Sequence, residues 1–124
     1  MEYPDHLQYS MEHEWLADDG SVGITAFAVE QIGDIVFVEL PKVGSRIEAG
    51  KPFGVIESVK AVSELFAPAT GTVLAVNDDL NDHPELVAED CYDTGWLIRM
   101  KVTDDDSTEG LMSSDEYQSM LGSH

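Results

Sequence analysis

The chain has 124 residues, 43% of them hydrophobic, which suits one compact domain with its own core and leaves no room for a second of ordinary size. Six basic residues stand against 25 acidic ones, a formal net charge of −19, and this excludes the clustered lysine and arginine that nucleic-acid binding needs. No apolar run nears the roughly 20 residues that span a bilayer, no basic amphipathic helix points to a membrane surface, and one cysteine with four scattered histidines gives neither an internal disulfide nor a zinc spacing.

The acidic start, Met1 to His6, lacks the apolar core of an export signal and the arginines of a transit peptide. A cytoplasmic protein is therefore expected, with a processed protein of the mitochondrial matrix as the alternative. His13 to Ala17 is a short mixed run, closed by the turn Asp18-Asp19-Gly20, and Ser21 to Ile24 reads as the second arm of a hairpin. Thr25 to Gly33 predicts a short helix capped by Thr25 and ended by Gly33. Ile35 to Leu40, broken only by Glu39 and bounded by Gly33 and Pro41, reads as a buried strand. Turns follow at Pro41 to Gly44 and after Ile47.

Pro52 to Val59 and Ala61 to Phe66 then form two strands with Lys60 at the bend. Tight hairpins favour Asn-Gly, Asp-Gly or Gly-X at their centre, and this one offers Val59 and Lys60. In a chain with four lysines, a lysine breaking a turn rule marks a candidate functional position, presented for covalent modification. Pro68 to Gly71 reads as a loop in which Gly71 permits a tight turn. Thr72 to Val76 is a β-branched strand closed by Asn77-Asp78-Asp79, and Pro84 to Val87 is one helical turn. Trp96 to Val102 alternates as a last strand, with Trp96, Ile98 and Met100 on one face. The Asp104-Asp105-Asp106 run reads as a solvated linker. Ser113 and Glu116 make a capping box for a terminal helix to about Leu121. Many short strands punctuated by Gly and Pro predict a mainly β barrel or sandwich with peripheral helices.

Glu57-Ser58-Val59-Lys60-Ala61, followed by Ala67-Pro68-Ala69-Thr70-Gly71, resembles the lipoyl-attachment region of the glycine cleavage system H-protein family. The resemblance extends, in the same order, through His13-Glu14-Trp15, Val22 to Thr25, Gly33 to Pro41, Asn77 with Pro84 to Val87, and Gly95-Trp96-Leu97, over roughly residues 7 to 121. It implies a lipoyl/biotinyl-type barrel-sandwich hybrid with short peripheral helices and a C-terminal helix. One lipoyl-carrier domain would fill 1–124, its core at about 7–102 and its linker and helix at 103–124.

The resemblance further implies that Lys60 carries lipoic acid as an amide, which removes the ammonium charge and leaves a long arm. In the family the arm takes an aminomethyl group from a pyridoxal-phosphate glycine decarboxylase and carries it to a tetrahydrofolate-dependent aminomethyltransferase. Dihydrolipoamide dehydrogenase then reoxidises it. Such a chain is a shuttling monomeric substrate and not an enzyme, and tethering gives the cofactor a high effective concentration at each docked partner. Glu14 is the candidate partner for the cationic amine of the cargo, while His13 and Trp15 read as parts of a surface strand with Trp15 in the core. Glu57, inside the matched block, and Glu64 are candidates for recognition by the lipoyl-attaching enzyme; the alternative is that they keep an exposed hairpin soluble.

Biotin carriers place methionines on both sides of their lysine, where this chain has Val59 and Ala61. Lipoyl domains of 2-oxoacid dehydrogenases usually have aspartate before the lysine and lack the His-Glu-Trp block. A nucleophilic or Schiff-base lysine would need desolvation, which a hairpin tip beside Glu57 and Glu64 opposes. A related carrier that relays lipoyl groups to other acceptors would use the same lysine. Scarce lysine and clustered aspartate further predict a high-salt cytoplasm, where screening shortens the reach of self-repulsion.

Overall fold

The computed structural model describes residues 2–122. Nine strands form two antiparallel sheets: β1 (Gln8–Tyr9), β2 (Glu14–Leu16), β3 (Ser21–Ile24), β4 (Ile35–Glu39), β5 (Arg46–Ile47), β6 (Pro52–Ser58), β7 (Val62–Phe66), β8 (Thr70–Val76) and β9 (Ile98–Asp104). One sheet runs β1-β2-β3-β9-β8-β5 and the other β4-β6-β7. Between them packs a core that includes Val22, Ile56, Leu97 and Ile98, all fully buried. Each such side chain contributes roughly 1.5–3 kcal/mol by leaving water.

Among the described residues three α-helices lie at the periphery. α1 (Ala26–Ile32) starts where the Thr25 hydroxyl accepts from the Ala28 amide and stops at Gly33. α2 (Leu86–Glu89) is a single turn. α3 (Ser114–Gly122) starts on the expected reciprocal box: the Glu116 amide donates to Ser113 Oγ, and the Ser113 amide donates to Glu116 Oε1. This helix is tied to the first strand by paired backbone bonds between Tyr9 and Met112 (2.8 and 2.7 Å). Tyr9 and Tyr117 stack beneath it at 4.9 Å.

Several sequence expectations need correction. Ile35 to Leu40 is not a wholly buried strand: a bulge between Ile35 and Phe37 breaks the register, so Ile35 and Val38 face the core while Val36 and Phe37 face solvent. The 68–71 loop is shorter, since Thr70 and Gly71 already belong to β8. Gly71 serves a close approach and not a tight turn, because a Cβ there would stand 2.0 Å from the Lys101 carbonyl oxygen. The last strand starts at Ile98, two residues after Trp96. The Asp104–Asp106 run is exposed but ordered, with the Asp104 side chain capping a 3-10 turn over Asp105–Thr108. Among the described residues no helix is long and apolar enough to cross a membrane, and no cluster of side chains could hold a metal ion.

Candidate functional site

Strands β6 and β7 pair in register from Val55↔Glu64 to Glu57↔Val62, which leaves Ser58 to Ala61 as the tip. The turn has no glycine or asparagine because Ser58 replaces their chemistry. Its amide donates to the Ala61 carbonyl (2.8 Å), while its hydroxyl accepts from the Ala61 amide (3.1 Å) and lies 3.2 Å from the Ala61 carbonyl oxygen. The Val59 amide donates to the Asp34 carbonyl (3.0 Å), tying the tip to the chain just after α1. Lys60 is exposed, so an attaching enzyme can reach it. Its side chain lies over Gly33, where a Cβ would stand 3.5 Å from Lys60 Cε. Gly33 has a φ of 83°, a left-handed conformation that favours glycine.

A groove of about 320 Å³ lies between α1 and β7, and Ile32, the neighbour of Gly33, is among its lining. Ile32, Gln31, Ala28 and Phe27 form one wall, and Ser63, Glu64 and Leu65 form the other. At the far end stand His13 and Glu14. Lys60 precedes β7 and Phe66 ends it; the Phe66 amide donates to Glu14 Oε2 (3.2 Å). Lys60 and the carboxyl of Glu14 thus lie beyond opposite ends of a five-residue strand, roughly 13 Å between its end residues.

Glu14 is only 2% exposed, although it is ionisable. Ser10 Oγ donates to Glu14 Oε1 (2.7 Å), and no ion pair among the described residues includes this carboxyl. Burial pushes its pKa up to about 8, and Glu12 adds to the rise; the Ser10 and Phe66 hydrogen bonds oppose it without cancelling it. At neutral pH the far end of the groove therefore holds a largely uncharged acid, and a cation brought beside it favours ionisation.

The other expected residues divide. Trp15 is in the core as expected, its indole N–H donating to the Ile24 and Cys91 carbonyls (both 3.1 Å). The strand carrying it is not a surface strand, since all of β2 is buried between its neighbours. His13 departs further from expectation, because it lines the groove with a left-handed φ of 72°. Glu57 is half-buried on β6, paired with Phe37 and Val62, and outside the groove, whereas Glu64 lines it. Cys91 is buried, and its thiol is pushed up to about 11, which fits a passive role. A larger depression, of about 430 Å³, lies among Trp15, Tyr92, Trp96 and Arg99, and no residue of the lysine hairpin lines it.

Sequence reasoning missed Ser10, Ser58, His13 and the backbone amide of Phe66. Only Ser58 left a readable trace, a hydroxyl three residues before Ala61 in a bend short of turn formers.

Comparison with known proteins places these features in a family. The model of the glycine cleavage H-protein family matches residues 7–124. The glycine cleavage system H proteins of Bacillus cytotoxicus and Bacillus cereus are each 50% identical over 123 residues, covering 97% of either chain. The crystal structure of a glycine cleavage system H protein from Mycobacterium marinum, 40% identical, superposes with a TM-score of 0.88 over 97% of this chain and 99% of that one.

Proposed function

The chain belongs to the glycine cleavage H-protein family, carriers with lipoate joined covalently to a lysine, and on that premise we propose that Lys60 is that lysine. The observation that carries the reading is the position of Lys60, exposed at a tied-down hairpin tip over Gly33, whose neighbour Ile32 lines a groove that Glu14 also lines. The residues fit such an arm. Gly33, with no side chain of its own, lies beside the lysine stem, and the apolar side chains of Ile32, Phe27, Ala28 and Leu65 offer the arm a surface that sheds water.

Bound lipoate supplies the sulfur that takes up and gives back a one-carbon amine. The chain supplies attachment, reach and shelter. The Lys60 nitrogen forms the amide, and the Ser58 turn holds it clear of the sheet. Glu14 would receive the amine end of an aminomethyl cargo, its proton passing to the amine or to water so that carboxylate and ammonium pair, while Ser10 and the Phe66 amide hold the carboxyl in place. The groove walls keep out the water that would otherwise split the cargo into formaldehyde and ammonium. The partners are the pyridoxal-phosphate decarboxylase, the tetrahydrofolate-dependent transferase, dihydrolipoamide dehydrogenase and a lipoyl-attaching enzyme, met by a cytoplasmic monomer. Glu57 and Glu64 flank the tip where the attaching enzyme docks.

Intact-mass measurement and peptide mapping after incubation with a lipoyl-attaching enzyme should find one lipoyl group, on Lys60. Modification at Lys42, Lys51 or Lys101 would overturn the assignment. Support of glycine–bicarbonate exchange with the decarboxylase then separates a shuttle from a lipoyl relay.

A further inference from the structure

Tyr117 stands outside the groove yet bonds a residue that lines it and the residue that caps the helix along one wall. It lies on α3 and is fully buried. Its hydroxyl sits 2.7 Å from His13 Nδ1 and 2.8 Å from Thr25 Oγ1. Thr25 caps α1, so one hydroxyl joins the C-terminal helix, the helix that forms one wall of the groove, and the residue that closes its end.

His13 needs such an anchor. A non-glycine residue in the left-handed region sits in a sterically disfavoured conformation. Here the conformation is held by the His13 amide donating to Ser10 (3.1 Å), by the Thr25 amide donating to the His13 carbonyl (3.0 Å), by the Tyr117 hydroxyl, and by the ring packing 4.7 Å from Phe27. The turn matters because the next residue is Glu14, which it aims inward to Ser10 and Phe66.

We propose that Tyr117 is a positioning residue for cargo retention: through His13 it keeps the groove closed at the Glu14 end, which makes the C-terminal helix part of the shelter. This rests on the groove reading above. Tyr9 provides a matched control. It belongs to the same aromatic stack and is equally buried, but its hydroxyl donates to the Pro4 carbonyl (2.7 Å) and touches neither His13 nor Thr25.

The test compares Tyr117→Phe with Tyr9→Phe in lipoylated protein loaded from glycine by the decarboxylase, with formaldehyde release timed after the partner is removed. Tyr117→Phe should release it about 3- to 10-fold faster, as loss of one buried hydrogen bond allows; Tyr9→Phe should match the wild type. In the unmodified protein, ring 15N spectra should show the His13 Nδ1 signal shift in Tyr117→Phe and not in Tyr9→Phe. His13→Asn, whose side chain tolerates the left-handed turn, should shorten retention as Tyr117→Phe does, and the two together should do no more than either. Equal retention in Tyr117→Phe and wild type, equal loss in both tyrosine variants, or additive loss in the double variant overturns the proposal. Glu14→Gln separates the layers. If it too leaves retention unchanged, the groove reading falls; if it shortens retention while Tyr117→Phe does not, only the positioning role falls.

Discussion

Glu14 lines the groove, Lys60 lies over Gly33 beyond its Ile32 end, and the two differ in almost every physical respect. Lys60 is exposed on a tip closed by three nearby hydrogen bonds, whereas Glu14 is buried and held by groups from positions 10 and 66. The difference fits what the proposed function asks of each end. A side chain that an enzyme modifies has to leave the fold, so local sequence can specify it. A carboxyl that shelters a charge has to be surrounded, and only distant parts of the chain can surround it. On the proposed reading, one end governs whether cargo is carried and the other how long it survives.

Breaking the exposed end should have the largest effect. Lys60→Arg keeps the charge but offers no amine for the amide, so lipoylation and transfer of one-carbon units should both vanish, as mass spectrometry and the exchange assay would record. Normal transfer by this variant would sink the comparison. At the buried end, Glu14→Gln should leave lipoylation unchanged and shorten cargo lifetime by about tenfold, the loss expected of one charge-assisted contact; an unchanged lifetime removes Glu14 from its role.

The same carboxyl sets a pH dependence. Its pKa is about 8 in the folded chain against an ordinary 4.5, so between those values the unfolded chain has released a proton that the folded chain retains. Stability of the unloaded protein should therefore fall as pH rises from 4.5 to 8, by a few kcal/mol, and level off above. Urea melts across that range should show this slope in the wild type and lose it in Glu14→Gln. An equal slope in both would place the titration elsewhere.

The contrast also explains what could be read in advance. The lysine hairpin, α1 from its Thr25 cap to Gly33, and the capping box at Ser113 and Glu116 are local patterns, and the structure contains each. Glu14 was visible as a residue, but nothing near it in sequence announced the Phe66 amide, and His13 gave no sign of its left-handed turn. The exposed faces of Val36 and Phe37 were hidden because a bulge shifts the two-residue alternation on which strand reading depends. Gly71 looked like a turn residue because the strand pressing against it, at Lys101, is 30 positions away.

Salt should act on the two ends unequally. Most of the 25 acidic residues face solvent, where potassium chloride screens them, while Glu14 is out of its reach. Wild type and Glu14→Gln should then gain the same few degrees in thermal midpoint between low and molar potassium chloride at pH 6. Equal stability in both salts would remove the high-salt reading.

The smallest effect tests whether the exposed end is specified as locally as it looks. Ser58→Ala removes the hydroxyl that accepts from the Ala61 amide. Because that bond is exposed, water takes over and stability should fall by only about 0.5–1 kcal/mol. The tip should nonetheless fray, so that Lys60 spends less time in the geometry an attaching enzyme meets. Lipoylation should slow a few-fold in kcat/KM, and Ser58→Thr should restore it by returning the hydroxyl. If Ser58→Ala is lipoylated at the wild-type rate, the attaching enzyme reads the strands and not the turn. The tip would then owe its specification to the tie between Val59 and Asp34, and the exposed end would depend on distant chain just as the buried one does.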